Sequence, residues 1–357
     1  MKQRIIYIFL GILSLIVLAT IIGVIYEMTA KSQAARNFPP PGKLVDIGGR
    51  KIQLDCRGTG SPTVVFESGL DMKGSLSWSL VHDEVAKTTR ACAYSRAGIM
   101  WSDPHDSHQN GKTVAEDLHR TLSVAGEHAP FVLVGHSLGG PYIMTYTKYF
   151  AQEVVGLVFV DASHPDQMQR LNTVMSTTGP KLLDLRDRVG AALNWTGAVR
   201  VVANTYTKMP NLPDSVDLAV KAYAAKSLGS MLKEMDAADE TNAEAGTFRQ
   251  LGDRPLFVLT AMAPWTEEPL AYWKITASQA KQYQEIKKQM SVEQATWSSH
   301  SQHQLVPDAD HYIQFDRPDI VIAAVRSVVK SVQAKRDRTF TNLSLHSSGT
   351  PQKRVAP

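Results

Sequence analysis

The stretch Phe131-Val132-Leu133-Val134-Gly135-His136-Ser137-Leu138-Gly139-Gly140 sets a serine between glycines two residues away on either side. An apolar run leads into it and a helical run, Pro141 to Phe150, leads out. A sharp strand-to-helix turn of this kind leaves the serine hydroxyl exposed, and neighbouring backbone comes too close for a Cβ at the two glycines. The helix N-terminus then aims free amides at a reacting oxygen. A serine hydroxyl is a poor nucleophile at neutral pH and needs a base within hydrogen-bond reach. Of 11 histidines, His311 is the best placed, in Asp308-Ala309-Asp310-His311-Tyr312 after the last strand and before the final helix. His136 flanks the serine and is expected to point away from the line of attack, while His164 and His303 read as structural. A third group must hold the imidazole tautomer and stabilise the imidazolium. Asp161, at the end of the run Val154–Val160, is the leading candidate, with Glu267 or Glu268 as the alternative. Asp308 and Asp310 lie too near His311 along the chain to meet its ring easily.

Strands must carry these groups. Lys43–Ile47 and Lys51–Cys56, joined through Gly48-Gly49, read as an antiparallel hairpin. Thr63–Phe66, Ala91–Tyr94, Phe131–Val134, Val154–Val160, Leu256–Thr260 and Gln304–Val306 are compact apolar runs, as in strands covered on both faces. Helical stripes alternate with them: Val114, Leu118, Thr121, Leu122 and Ala125, and later Val321, Val325, Val328, Val329 and Val332. The expected class is α/β, with a mostly parallel sheet and helices on both faces. Between about 164 and 253 the alternation gives way to helical pieces such as Lys181–Val189 and Val216–Met235, which we read as a lid inserted between two strands. Its apolar positions Leu182, Leu183, Val189, Leu193 and Trp195 are ones a helical lid has to bury.

The 357 residues are 43% hydrophobic and 20% charged, an ordinary globular composition that excludes disordered, collagen-like and disulfide-scaffold classes. The net charge is +4, and Lys335, Arg336, Arg338, Lys353 and Arg354 against Asp337 account for all of it in the tail. The body is therefore neutral, and nucleic acid is not an expected partner. Ile5 to Tyr26 carries no charge and would extend roughly 33 Å as a helix, enough to cross a bilayer. Residues 1–30 read as an uncleaved membrane anchor rather than a cleaved signal, because Met28-Thr29-Ala30 is a poor cleavage site. Lys2 and Arg4 with the free amino terminus favour the N-terminus inside and the domain outside. Residues 31–42, with Asn37-Phe38-Pro39-Pro40-Pro41-Gly42, read as a stiff linker, 43–334 as the domain, and 335–357 as a disordered basic tail.

Over roughly Leu44 to Val332 the chain resembles the α/β-hydrolase superfamily, in its capped branch of proline iminopeptidases, esterases and ring-cleavage hydrolases. The landmarks run in the family's order: Glu67-Ser68-Gly69-Leu70, then Tyr94-Ser95-Arg96-Ala97-Gly98-Ile99-Met100-Trp101-Ser102-Asp103, the Ser137 turn, and His311. The resemblance implies an eight-stranded sheet with an antiparallel second strand, a helical cap after the sixth, and an oxyanion hole from the amides of Leu70 and Leu138. Ser68, Ser95 and Met100 stand where many members carry His, Asp and Gly. The usual acid position after the seventh strand is empty, so the acid's role is carried over to Asp161. Serine at the nucleophile position sets the chain apart from epoxide hydrolases and haloalkane dehalogenases, which attack with Asp. In this fold Cys56 and Cys92 lie on neighbouring strands, where they would form a disulfide outside the cytoplasm or stay as two buried thiols.

The expected function is a membrane-tethered serine hydrolase, its catalytic domain on the non-cytoplasmic side. It would cleave a small-molecule ester, amide or thioester through an acyl-enzyme on Ser137, without metal or cofactor. Acyl transfer by the same residues and a catalytically inactive binding module of the same fold are the alternatives.

Overall fold

The computed structural model describes residues 2–172, 174 and 181–347. An eight-stranded sheet runs in the order β1-β2-β4-β3-β5-β6-β7-β8. The strands are β1 (Lys43–Asp46), β2 (Lys51–Arg57), β3 (Thr63–Glu67), β4 (Ala91–Ser95), β5 (Phe131–His136), β6 (Val154–Val160), β7 (Leu256–Ala261) and β8 (Ser301–Val306). β2 is antiparallel to both β1 and β4, and every other pairing is parallel. Alternate residues of one strand feed opposite faces. Val65, Leu133, Leu157 and Phe159 join one buried cluster, while Val64, Phe66, Val132, Val134, Val158 and Val160 join another. That is why these strands read as unbroken apolar runs rather than as alternating ones.

Helix α1 (Lys2–Asn37) precedes the sheet. α2 (His82–Ala86), α3 (Gly111–Ala125) and α4 (Gly139–Tyr149) lie among the early strands. Asn110 caps α3 by accepting from the Thr113 N–H at 3.0 Å, and Gly126 closes it at φ +77°. Leu118 and Leu122 of α3, with Ile143, Met144 and Tyr146 of α4, cover one face of the sheet. Val85 of α2, with Val321, Ala324, Val325 and Val328 of the last helix, covers the other. Between β6 and β7 stands a helical cap of α5 (Gln167–Leu171), α6 (Lys181–Ala192), α7 (Ala198–Thr205), α8 (Asp214–Asp236) and α9 (Ala238–Gly246). After β7 come α10 (Glu267–Trp273) and α11 (Ala277–Ala295), and after β8 come α12 (Ile313–Asp316) and α13 (Pro318–Ser347).

The structure moves several expected boundaries. α1 does not stop near 30 but continues through most of the expected linker to Asn37. Nothing between Met28 and Arg36 breaks a helix, and the Phe38 N–H still bonds to the Ala34 carbonyl at 2.9 Å before Pro39 ends the run. The expected tail likewise begins inside α13, which reaches Ser347. Residues 335–347 contain no Gly or Pro, and adding a residue to an existing helix costs little. Residues 348–357 lie outside those described. β8 begins at Ser301, three residues ahead of its apolar part, because an edge strand tolerates polar residues facing solvent. The cap does not bury all its apolar positions: Val189, Leu193 and Trp195 are exposed. The side chains of Leu182 and Leu183 lie outside the described set.

Candidate active site

Ser137 stands between β5 and α4 with φ +52°, a left-handed conformation that serine takes only when its surroundings impose it. The imposition is visible. Its carbonyl accepts from the Gly140 N–H at 2.9 Å and the Ser163 N–H at 2.8 Å, which ties the turn to the chain beyond β6. A Cβ on Gly139 would lie 2.5 Å from the Glu67 carbonyl oxygen, and one on Gly135 would lie 2.5 Å from that of Gly139, so both positions require glycine. The loop after β3 presses on the same turn, with Gly69 so near that a Cβ there would sit 2.8 Å from Ser137 Cβ. Leu70 and Leu138 meet in one apolar cluster with Val114 and Tyr142.

Asp161, directly after β6, has φ +45° and is buried. Its Oδ1 accepts the Ala261 N–H at 2.9 Å, and its Oδ2 lies 2.6 Å from His311 Nδ1. The structure thus brings His311 and Asp161 together across 150 residues of chain. Burial pushes the Asp161 carboxyl up, but the Lys287 ammonium and the His311 hydrogen bond outweigh it and hold the group below the usual carboxylate range. An ionised carboxylate only accepts, so Nδ1 of His311 carries the proton, and Nε2 of the neutral ring presents a lone pair. The His311 side chain is 44% exposed. Glu267 and Glu268 sit exposed in the first turn of α10, away from this bond. Asp308 pairs with Arg317, and Asp310 caps the backbone N–H of His311 at 2.8 Å.

His136 has a more definite task than expected. Its ring lies 4.6 Å from the His311 ring, centroid to centroid, and its Nε2 is 2.9 Å from the His311 carbonyl oxygen. Burial, with His311 beside it, pushes the ring down to about 3, so it is neutral and donates to that carbonyl. It holds the loop that carries the imidazole. Lys73 also contacts that loop, its Nζ 4.4 Å from the Tyr312 ring centroid. His164 is buried 3.3 Å from Glu293, and His303 bonds to Thr260 at 2.9 Å.

Sequence reading missed two charged side chains. Lys287 of α11 donates to Asp161 Oδ2 at 2.6 Å, and nothing in a polar helix announces that contact. Arg96, noted only as part of a landmark, is the hub beneath the site. It donates to the carbonyls of Ser68 and Gly69 at 2.7 Å each, to Glu67 at 2.6 Å, and to Glu234 of the cap at 2.9 and 2.7 Å. Tyr94 also donates to Glu67, whose carboxyl burial pushes up to about 7. Turning the Ser68 and Gly69 carbonyls onto a guanidinium orients the loop that carries the Leu70 amide. Cys56 and Cys92 face each other across β2 and β4, and their sulfurs are bonded.

A hydroxyl on a strained turn, an imidazole with its tautomer set, and a carboxylate held ionised can together transfer protons during attack on an acyl carbon. Comparison with known proteins gives the family. A family model described as the Alpha/beta hydrolase family matches residues 54–324. A probable transporter of Hormonema carpetanum is 26% identical over 321 residues, 82% of this chain and 43% of that protein. This chain spans about half or less of the length of the curated relatives it matches. Among solved structures, a thermophilic esterase from Thermogutta terrifontis is similar at TM-score 0.57 and 17% identity, covering 82% of this chain and 98% of the esterase. A putative epoxide hydrolase from Pseudomonas aeruginosa, as its t131d mutant, is similar at TM-score 0.55 and 18% identity, covering 83% and 98%. At these identities the two structures speak for the fold alone.

Proposed function

The chain belongs to the alpha/beta hydrolase family, and from that premise we propose that it is a membrane-tethered serine hydrolase acting on an ester, amide or thioester. Ser137 Oγ attacks the acyl carbon while Nε2 of His311 takes its proton. Asp161 stabilises the imidazolium, and the Leu70 and Leu138 amides receive the oxyanion. The imidazolium then protonates the leaving group, and water, deprotonated by the same ring, releases the acid from the acyl-enzyme. The observation that carries this reading is the 2.6 Å bond from His311 to Asp161, made by a ring that lies 4.6 Å from the ring of His136, the residue before Ser137.

The tether is α1. Its apolar part has a mean hydropathy of 2.9, and no residue of that stretch is buried. The bonded Cys56 and Cys92 favour an oxidising compartment for the catalytic domain, in keeping with the positive charges ahead of the span.

A fluorophosphonate probe applied to the full chain in its membrane tests the chemistry. Labelling is expected in wild type and lost in Ser137→Ala. Absent labelling in a folded wild type, or labelling unchanged in the variant, overturns it.

A further inference from the structure

α1 does not stand clear of the domain. Gly23 packs so tightly on the 3-10 turn Asn194–Thr196 that a Cβ there would lie 2.4 Å from the Thr196 carbonyl oxygen. One turn later Tyr26 lies against Gly197, and Glu27 forms a two-bond ion pair with Arg200 of α7, both bonds 2.9 Å. Both side chains of that pair are buried, at 2% and 6% exposed. Gly23 belongs to the uncharged run that ends at Tyr26. Contact at that residue puts Thr196 roughly 5 Å inside the end of the run, measured along the helix. If α1 crosses a bilayer, this part of the cap therefore stands at headgroup depth or slightly deeper.

The surface around that contact suits such a place. Val189, Leu193, Trp195, Val201, Val202 and Tyr206 are each between 42% and 55% exposed, on α6, the 3-10 turn, α7 and the residue after it. On α7, Arg200 and Ala203 face the protein while Val201 and Val202 face outward. Trp and Tyr carry an apolar body with a polar tip, the combination that collects at membrane interfaces. An apolar surface in water would disfavour this arrangement, and the lipid beside α1 removes the penalty.

We propose that the α6–α7 face of the cap docks into the interfacial layer of the bilayer, with lipid as its partner, and that the Glu27–Arg200 pair sets its depth. This inference rests on the reading of α1 as a membrane span and not on the catalytic reading.

The test is fluorescence quenching of the full chain reconstituted, one copy per disc, into phosphatidylcholine nanodiscs whose acyl chains carry bromine near the headgroup. Six tryptophans report, so wild type is compared with Trp195→Phe. Quenching by the brominated lipid is expected in wild type, with the quenched fraction falling at least twofold in the variant. Equal quenching in both, or quenching of Trp195 by aqueous iodide rather than by lipid, overturns the docking. Protection of Trp195 from both quenchers in samples holding two copies per disc also overturns it, in favour of a second copy of the chain. Resistance to carbonate extraction, scored on the same full chain in membranes, reports the span separately. Quenching needs no turnover, so loss of probe labelling at Ser137 and loss of lipid contact at Trp195 are distinguishable failures.

Discussion

The sheet and the cap distribute apolar and charged groups in opposite ways. On the sheet, apolar side chains turn inward from both faces, and polar groups gather at the strand ends where Ser137, Asp161 and the Ser68-Gly69 loop sit. On the cap, apolar side chains of α6 and α7 turn outward, and two ion pairs are buried where it meets the rest of the chain. Arg96 meets Glu234 in one, and Glu27 meets Arg200 in the other. A sheet covered on both faces is self-sufficient in apolar contacts. A cap fastened by ion pairs gains little net stability from them, since desolvation offsets most of their attraction, but breaking either leaves a buried charge without its partner. The body is built to hold chemistry still, and the cap is built to be held in a place.

Four variants sharpen or break that contrast. The largest effect belongs to the sheet: Asp161→Asn removes the acceptor that sets the His311 tautomer, and kcat on a short soluble ester is expected to fall about 10^4-fold with folding intact. Retention of full activity would end the assignment. Arg96→Met leaves Glu67 and Glu234 buried without a cation, with an expected loss of about 3–5 kcal/mol of stability by denaturant titration in detergent. A loss confined to the cap would mean that Arg96 belongs to the attachment alone. Arg200→Met leaves the buried Glu27 with the exposed Lys31 at 3.9 Å in place of a two-bond ion pair, so faster proteolysis of the cap is expected at unchanged turnover on the soluble ester. An equal fall in turnover would erase the division between the regions.

The smallest effect is a shift in pH dependence. Lys287→Met removes one of the two partners that together outweigh burial at Asp161, so its carboxyl rises and the acid-side loss of kcat/KM begins at higher pH. A uniform fall at every pH would instead mark Lys287 as a packing residue.

Most of the sheet was legible because its strands are apolar on both faces, and the order of Ser137 and His311 along it followed from the turn chemistry around each. Two kinds of feature were not. Edges and ends shifted, as at Ser301, Asn37 and Ser347, because exposed backbone accepts polar residues and extending an existing helix costs little. The charged partners Lys287, Arg96 with Glu234, and Glu27 with Arg200 were invisible for another reason. Each joins residues more than a hundred positions apart and leaves no local period to read.

Local pattern alone determined which segments become strands, where a serine is forced into a strained turn, and that the first helix is apolar enough to span a bilayer. Such features depend on neighbours within a few residues. Only the folded chain decided that Asp161 rather than Glu267 or Glu268 meets His311, that a lysine stands behind that carboxylate, and that the cap leans on α1 with its apolar side outward. Those are contacts between distant segments, selected by packing and by the cost of leaving a buried charge alone.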